Sequence, residues 1–235
     1  MCHRSTCGRS PHHPRIPTIP IGFNAYSAPA YPVNLLIAGA PVLVVGGGAV
    51  ALRKVAGLLE SGASVTVIAP RAVDDLVGRD DVNWRRRRYR YGDAAAYRVV
   101  ISATGIRKID ERVYRDAVDA GVPVNVADVP QLCTFTLPAI VRRGDVQVAV
   151  STNGRSPALA SWLRDQLADS VPEAIGDALD LVAEVRAELK ATGQSTEIIG
   201  WHDAFDAGFV QLVANGEHAT ARRLLRDRLG LAVAS

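Results

Sequence analysis

Cysteine is scarce in this chain of 235 residues: three occur, at Cys2, Cys7 and Cys133. An odd number spread this way excludes a disulfide framework. No apolar run approaches the roughly 18 residues of a membrane span. The most apolar stretch, Pro41–Leu52, is cut by three glycines and ended by Arg53-Lys54. The N-terminus carries basic residues, but proline and histidine stand where a signal peptide needs an apolar segment. These absences set the expectation of a cytoplasmic protein with no membrane partner. An excess of one charge is missing too. The formal net charge of +3 comes wholly from Arg4, Arg9 and Arg15, in a stretch without acids, so the remainder balances to zero. That gives little reason to expect nucleic acid as a partner. Also absent are a G-x-S-x-G elbow, an H-E-x-x-H pair and the G-K-[ST] ending of a phosphate-transferring loop. Kinase and ATPase chemistry are thereby disfavoured.

What is present falls into three parts. Residues 1–30 hold five of the thirteen prolines and show no lasting apolar period, so they read as an extended or disordered leader. Cys2, His3, Cys7, His12 and His13 match no standard zinc spacing. From residue 31 to about 145 the chain alternates strand and helix. Strands are expected at Pro41–Val45, Ser64–Ile68, Asn83–Tyr91, Arg98–Ala103 and Val122–Val126, and helices at Ala49–Ser61, Val73–Gly78 and Asp110–Ala120. Strict alternation predicts an α/β fold with a mainly parallel sheet and helices on both faces. Then Phe135–Ile140 and Val146–Ser151 read as strands around the turn at Arg143-Gly144-Asp145. Residues 146–235 are mostly helical: a helix capped by Ser156-Pro157, then Glu173–Leu189, His202–Ala214 and Glu217–Leu229. The only histidines beyond the leader, His202 and His218, read as structural.

The run PVLVVGGGAVALRK carries G-x-G-x-x-A at Gly46, Gly48 and Ala51, between a strand and a helix. Gly46 makes the tight turn, Gly48 removes the Cβ that would hold a pyrophosphate off the backbone, and Ala51 lets helix and strand approach. Gly46, Gly47, Gly48, Ala49, Val50 and Ala51 are therefore the candidate diphosphate-binding residues, over the helix N-terminus. The second strand ends in Ala69-Pro70-Arg71 instead of the usual ribose-binding acid. Backbone groups there could serve the ribose, or Arg71 a 2′-phosphate. Ser102 and Thr104, at the end of the third apolar strand, could face the cofactor or simply close a strand. Asp128 follows another strand, where it could be a base, a polar anchor or part of a turn. The loop Ser151-Thr152-Asn153-Gly154-Arg155-Ser156 suits an anion as well as it suits an ordinary helix cap. The basic run Arg85–Arg88 with Arg90 reads first as a solvated edge strand with arginines alternating between its faces, and second as a means of attracting an anionic substrate.

Together, YPVNL at Tyr31–Leu35, the segment Pro41–Pro70, VVISAT at Val99–Thr104, the segment Val124–Thr152 and GRSPALASWLRDQL at Gly154–Leu167 resemble the precorrin-2 dehydrogenase / sirohydrochlorin ferrochelatase family of siroheme biosynthesis. The resemblance implies a Rossmann-type parallel sheet, a small α+β dimerisation segment and a C-terminal helical domain. It implies that NAD⁺ takes a hydride from precorrin-2, and that many members then insert Fe²⁺ to give siroheme. Asp128 matches the aspartate of the family's N-V-x-D-x-P segment, with Asn125 beside it as a substrate contact. The family's adenosine side also lacks the ribose acid, so NAD is favoured at Ala69-Pro70. Ser151-Thr152-Asn153-Gly154 corresponds to the family's serine-rich loop near an anionic tetrapyrrole, and homodimers are implied. Gly105 departs from the family pattern, which has an acid there. A dehydrogenase without chelatase activity and a non-catalytic NAD- or tetrapyrrole-binding protein are the alternatives.

Overall fold

The computed structural model describes residues 30–193 and 200–231; the leader at residues 1–29 and its cysteines and histidines lie outside the described residues. Four segments of β-branched and aliphatic residues form strands buried almost throughout: β1 (Pro41–Val45), β2 (Ser64–Ile68), β4 (Val99–Ser102) and β5 (Val124–Val126). Such continuous apolar runs are what a parallel sheet covered on both faces requires. All pairings are parallel, in the order β3-β2-β1-β4-β5, with β3 (Val82–Arg85) at one edge. The order reverses between β1 and β4, which makes their carboxyl ends the switch point of a Rossmann-type sheet.

Alternation along β1 divides the core. Val42 and Val44 point to one face, with Ala51 and Val55 of helix α1 (Ala49–Glu60). Leu43 and Val45 point to the other, with Val113, Tyr114 and Ala117 of helix α3 (Arg107–Asp119). A short helix α2 (Asp74–Val77) caps the β2–β3 crossover through buried Leu76.

The basic run does not continue the edge strand. β3 ends at Arg85, so the expected strand to Tyr91 and its alternating arginine faces are corrected. The guanidinium of Arg87 turns to both carboxylate oxygens of Asp93, at 2.7 and 2.8 Å. Tyr89 goes inward and donates its hydroxyl to Asp116, which also accepts from the N–H groups of Gly92 (2.9 Å) and Ala94 (3.4 Å). Asp116 is 3% exposed, a buried carboxyl group that accepts three hydrogen bonds. Asp116→Ala would strand these donors, and we expect a loss of about 3 kcal/mol in denaturant unfolding. Burial, then Asp116, holds the Tyr89 phenol above its ordinary range. Its contribution to stability is therefore full below about pH 10 and is lost as the pH rises further.

The chain's contacts divide it after Thr136, earlier than the boundary expected at residue 145. The reason is that β6 (Ala139–Arg143) pairs antiparallel with β7 (Val146–Val150) and not with the parallel sheet. The strand expected at Phe135–Ile140 is thus displaced. The two-residue turn at Gly144-Asp145, with Gly144 at φ +57°, sets the register backward from itself.

Helix α4 (Pro157–Ser170) packs on the hairpin and buries only Ala160 among its residues. The remaining helices form a bundle: α5 (Ile175–Ala191), α6 (Gly200–Asp206), α7 (Phe209–Ala214) and α8 (His218–Arg228). Their core includes Leu181, Val185, Leu189, Phe209, Val213 and Leu225. The single helix expected over His202–Ala214 is two, broken at Gly208, whose φ of +87° no helix accommodates. The fold is thus a parallel Rossmann-like sheet followed by a small antiparallel sheet and a C-terminal helical bundle. Among the described residues, no helix is long and apolar enough to cross a membrane.

Candidate functional site

The glycine loop shows three different needs at three adjacent positions. Gly46 has φ +119°, and a Cβ there would stand 2.3 Å from the carbonyl oxygen of Ala103. Gly47 is crossed by the chain after β2: a Cβ would lie 2.2 Å from the Arg71 carbonyl oxygen, and the Val73 N–H donates to the Gly47 carbonyl at 2.8 Å. Gly48 meets nothing within 4 Å and is the N-cap of α1, with no side-chain cap. The first N–H groups of α1 therefore have no side-chain acceptor, and the helix dipole makes that end favourable to anions. Ala49 is exposed and Val50 half-buried, while Ala51 packs fully into the core. Open backbone over bare N–H groups is what a dinucleotide's diphosphate fits.

The residues expected beside the adenosine ribose follow β2. Ala69 is buried and its carbonyl accepts the Trp84 indole N–H at 3.1 Å, while Pro70 and Arg71 are exposed. No acid stands at this strand end. Arg86 lies over the Trp84 ring, 5.8 Å from its centroid.

At the switch point lies an open cleft of about 260 Å³, lined among others by Val50, Ala103, Gly105, Asp110 and Asp128. It joins the glycine-loop helix to the loop after β5. Asp128 is exposed there with φ +60°, a left-handed conformation that aspartate tolerates better than most residues. The loop is fastened from below by Cys133, whose sulfur accepts the Val126 N–H at 3.2 Å and lies 3.5 Å from the Val129 carbonyl. Burial pushes that thiol up, away from reactivity.

Ser102 and Thr104 do not present their hydroxyls to open solvent. Ser102 is fully buried and donates to Asp110 Oδ1 at 2.6 Å; Thr104 donates to the same oxygen at 2.7 Å and accepts the Ile106 N–H at 3.1 Å. Asp110 is the residue missed in the sequence. Helix α3, expected to begin at Asp110, begins at Arg107, which turns Asp110 into the first turn and inward. The two hydroxyls at fixed spacing upstream were the available signal. Asn125, a predicted substrate contact, is buried and spends its amide on the Phe135 carbonyl at 3.0 Å.

The predicted anion loop lies in the second unit. Asn153 (φ +53°) and Gly154 (φ +71°) are successive left-handed residues. The Thr152 hydroxyl bridges to Ser156, donating to its carbonyl (3.0 Å) and accepting its N–H (3.1 Å). Ser151 accepts the Asn153 N–H, and Ser156 caps α4 by accepting the Leu159 N–H at 3.2 Å. Arg155 is exposed. The loop is thus a hydrogen-bonded cap that leaves a cation at a helix N-terminus.

Comparison with known proteins gives consistent matches. A NAD(P)-binding family model matches residues 33–139, and a model for the central part of sirohaem biosynthesis proteins matches residues 143–170. A siroheme synthase of Neisseria meningitidis serogroup C is 33% identical over 85% of this chain and 42% of its own length. Siroheme synthases of Methylococcus capsulatus and Nitrosococcus oceani are 36% and 37% identical, over 83% and 84% of the chain and 42% and 43% of their own. The chain thus spans under half the length of these relatives. The solved structure of SirC, a precorrin-2 dehydrogenase, superimposes with a TM-score of 0.61 at 22% identity, over 85% of this chain and 98% of that one. That likeness is one of fold.

Proposed function

The chain belongs to the siroheme synthase family, within the dehydrogenase/chelatase module of those proteins, and from that premise we propose that it oxidises precorrin-2 to sirohydrochlorin with NAD⁺. The observation that carries this reading is one cleft shared by the glycine-loop helix and Asp128. NAD⁺ bound there would supply the hydride acceptor. The chain's own residues do the rest. The N–H groups of α1 hold the diphosphate, Ala69 and Pro70 border the adenosine ribose, and the wall at Ala103–Gly105 limits the nicotinamide end. Oxidation breaks a C–H bond of the reduced macrocycle, whose electron pair leaves with the hydride, and releases one proton. Asp128 is the carboxylate placed to accept that proton. In the second unit, taken by itself, the Ser151–Ser156 loop, with Arg155 and the N-terminus of α4, offers donors suited to carboxylates such as an anionic tetrapyrrole carries.

The finer question is iron. In the chelatase step Fe²⁺ would be a substrate, held by the macrocycle's own nitrogens, with Asp128 accepting their protons. Purified chain supplied with precorrin-2, NAD⁺ and Fe²⁺ and followed by absorbance tests both parts. Sirohydrochlorin formed in a protein-dependent way is the expected result; no oxidation above the protein-free control overturns the proposal. Siroheme formed no faster than in that control restricts the activity to dehydrogenation.

The same reading assigns a homodimer built on the hairpin and α4. A two-stranded sheet is marginal alone, and Ile140, Leu159, Trp162 and Leu167 lie exposed on these elements. A single monomeric species in sedimentation at micromolar concentration would remove this part.

A further inference from the structure

Asp110 is 3% exposed yet lines the switch-point cleft, in the first turn of α3. Its Oδ1 accepts both the Ser102 and the Thr104 hydroxyls, and among the described residues no hydrogen bond is made to Oδ2. The nearest cation on the cleft wall, Arg107, is engaged with Glu111 at 2.7 Å. Gly105 contributes no side chain to the same wall. The cleft thus holds a fixed, nearly dry negative charge that the hydride-transfer reading leaves without a task.

We infer that Asp110 is a cofactor-side carboxylate, whose fixed charge favours the positively charged nicotinamide ring over its neutral reduced form. This rests on the dinucleotide reading above. In an α/β sheet the ligand lies across the carboxyl ends of the strands at the switch point. With the diphosphate on α1, the nicotinamide falls toward the β4–β5 side, where Asp110 stands. A negative charge held on a buried side chain attracts a cationic ring beside it more than the same charge in water would. The reduced ring carries no charge and gains nothing. Asp110 then tightens the oxidised cofactor before the reaction and releases the reduced one after it, while Asp128 remains available to the substrate.

Binding of NAD⁺, NADH and a dinucleotide with a neutral benzamide ring to the purified full chain, by calorimetry, tests this. Asp110→Asn keeps an oxygen acceptor for both hydroxyls and removes the charge. We expect it to weaken NAD⁺ on the order of tenfold and NADH less than about threefold. Equal weakening of both forms would reduce Asp110 to a structural anchor and overturn the inference. The benzamide arm needs no variant: wild-type protein should bind NAD⁺ more tightly than the neutral analogue, and parity overturns the inference even if Asp110→Asn does not fold. If neither NAD⁺ nor NADH binds wild-type protein, it is the dinucleotide reading itself that fails.

Discussion

Asp128→Asn should lower the rate of NAD⁺-dependent precorrin-2 oxidation by about 100-fold or more, the range lost when a general base is removed. Asparagine is the informative replacement. Asp128 sits at φ +60°, and asparagine shares aspartate's tolerance of that region. Asp128→Ala removes the same charge but adds roughly 1 kcal/mol of backbone cost in the left-handed region. Its fall in rate would then mix chemistry with loop distortion. Steady-state kinetics with both variants separates the two: the shared fall belongs to the carboxylate and any excess in the alanine variant to the backbone. Turnover by the Asp128→Asn protein within a few-fold of wild type would take this residue out of the mechanism.

The second large effect separates two glycines only two residues apart. Gly46→Ala would drive a methyl group to 2.3 Å from a backbone oxygen that cannot retreat without opening β1 from β4. We expect about 4 kcal/mol or more of destabilisation, seen as loss of the cooperative thermal transition or a large fall in its midpoint. Gly48→Ala meets no atom within 4 Å, and its cost as an N-cap change should be less than about 1 kcal/mol. Its methyl instead occupies the space above the α1 N–H groups, so NAD⁺ affinity should fall by about tenfold or more. A Gly48→Ala protein with unchanged affinity would remove the diphosphate from this loop. A Gly46→Ala protein as stable as wild type would show that the β1–β4 junction yields where its geometry says it does not.

The parallel sheet was legible because burial on both faces forces uninterrupted apolar runs, and PVLVV, SVTVI and VVIS stand out between breaks at glycine and proline. The glycine loop was legible for a related reason: close approach leaves a compositional mark. What was not legible depended on partners distant in sequence. Nothing local says that Tyr89 will turn in toward Asp116, 27 residues on, so the arginine run around it reads as a strand. The start of α3 is misplaced by three residues because its N-cap is Ile106, an unusual residue there, steadied by the Thr104 side chain. That small shift is what conceals Asp110. The hairpin register is set by its turn, so reading from the apolar run alone slides β6 toward Phe135. Asn125 and Ser102 fall on their strands as expected, yet their polar groups are committed to Phe135 and Asp110, and no spacing rule announces that.

The crossing of the β2–α2 connection over the glycine loop has a consequence for redesign. The Val73 N–H is tied to the Gly47 carbonyl, and Arg71 and Ala72 lie against Gly47 so closely that not even a methyl group fits between. The residues that would be exchanged to make the protein prefer a different adenosine ribose are therefore mechanically joined to the loop proposed to hold the phosphates. On the proposed reading, cofactor preference and phosphate binding would change together. A swap confined to Ala69–Arg71 should carry a penalty in overall dinucleotide affinity unless the segment through Val73 is moved with it.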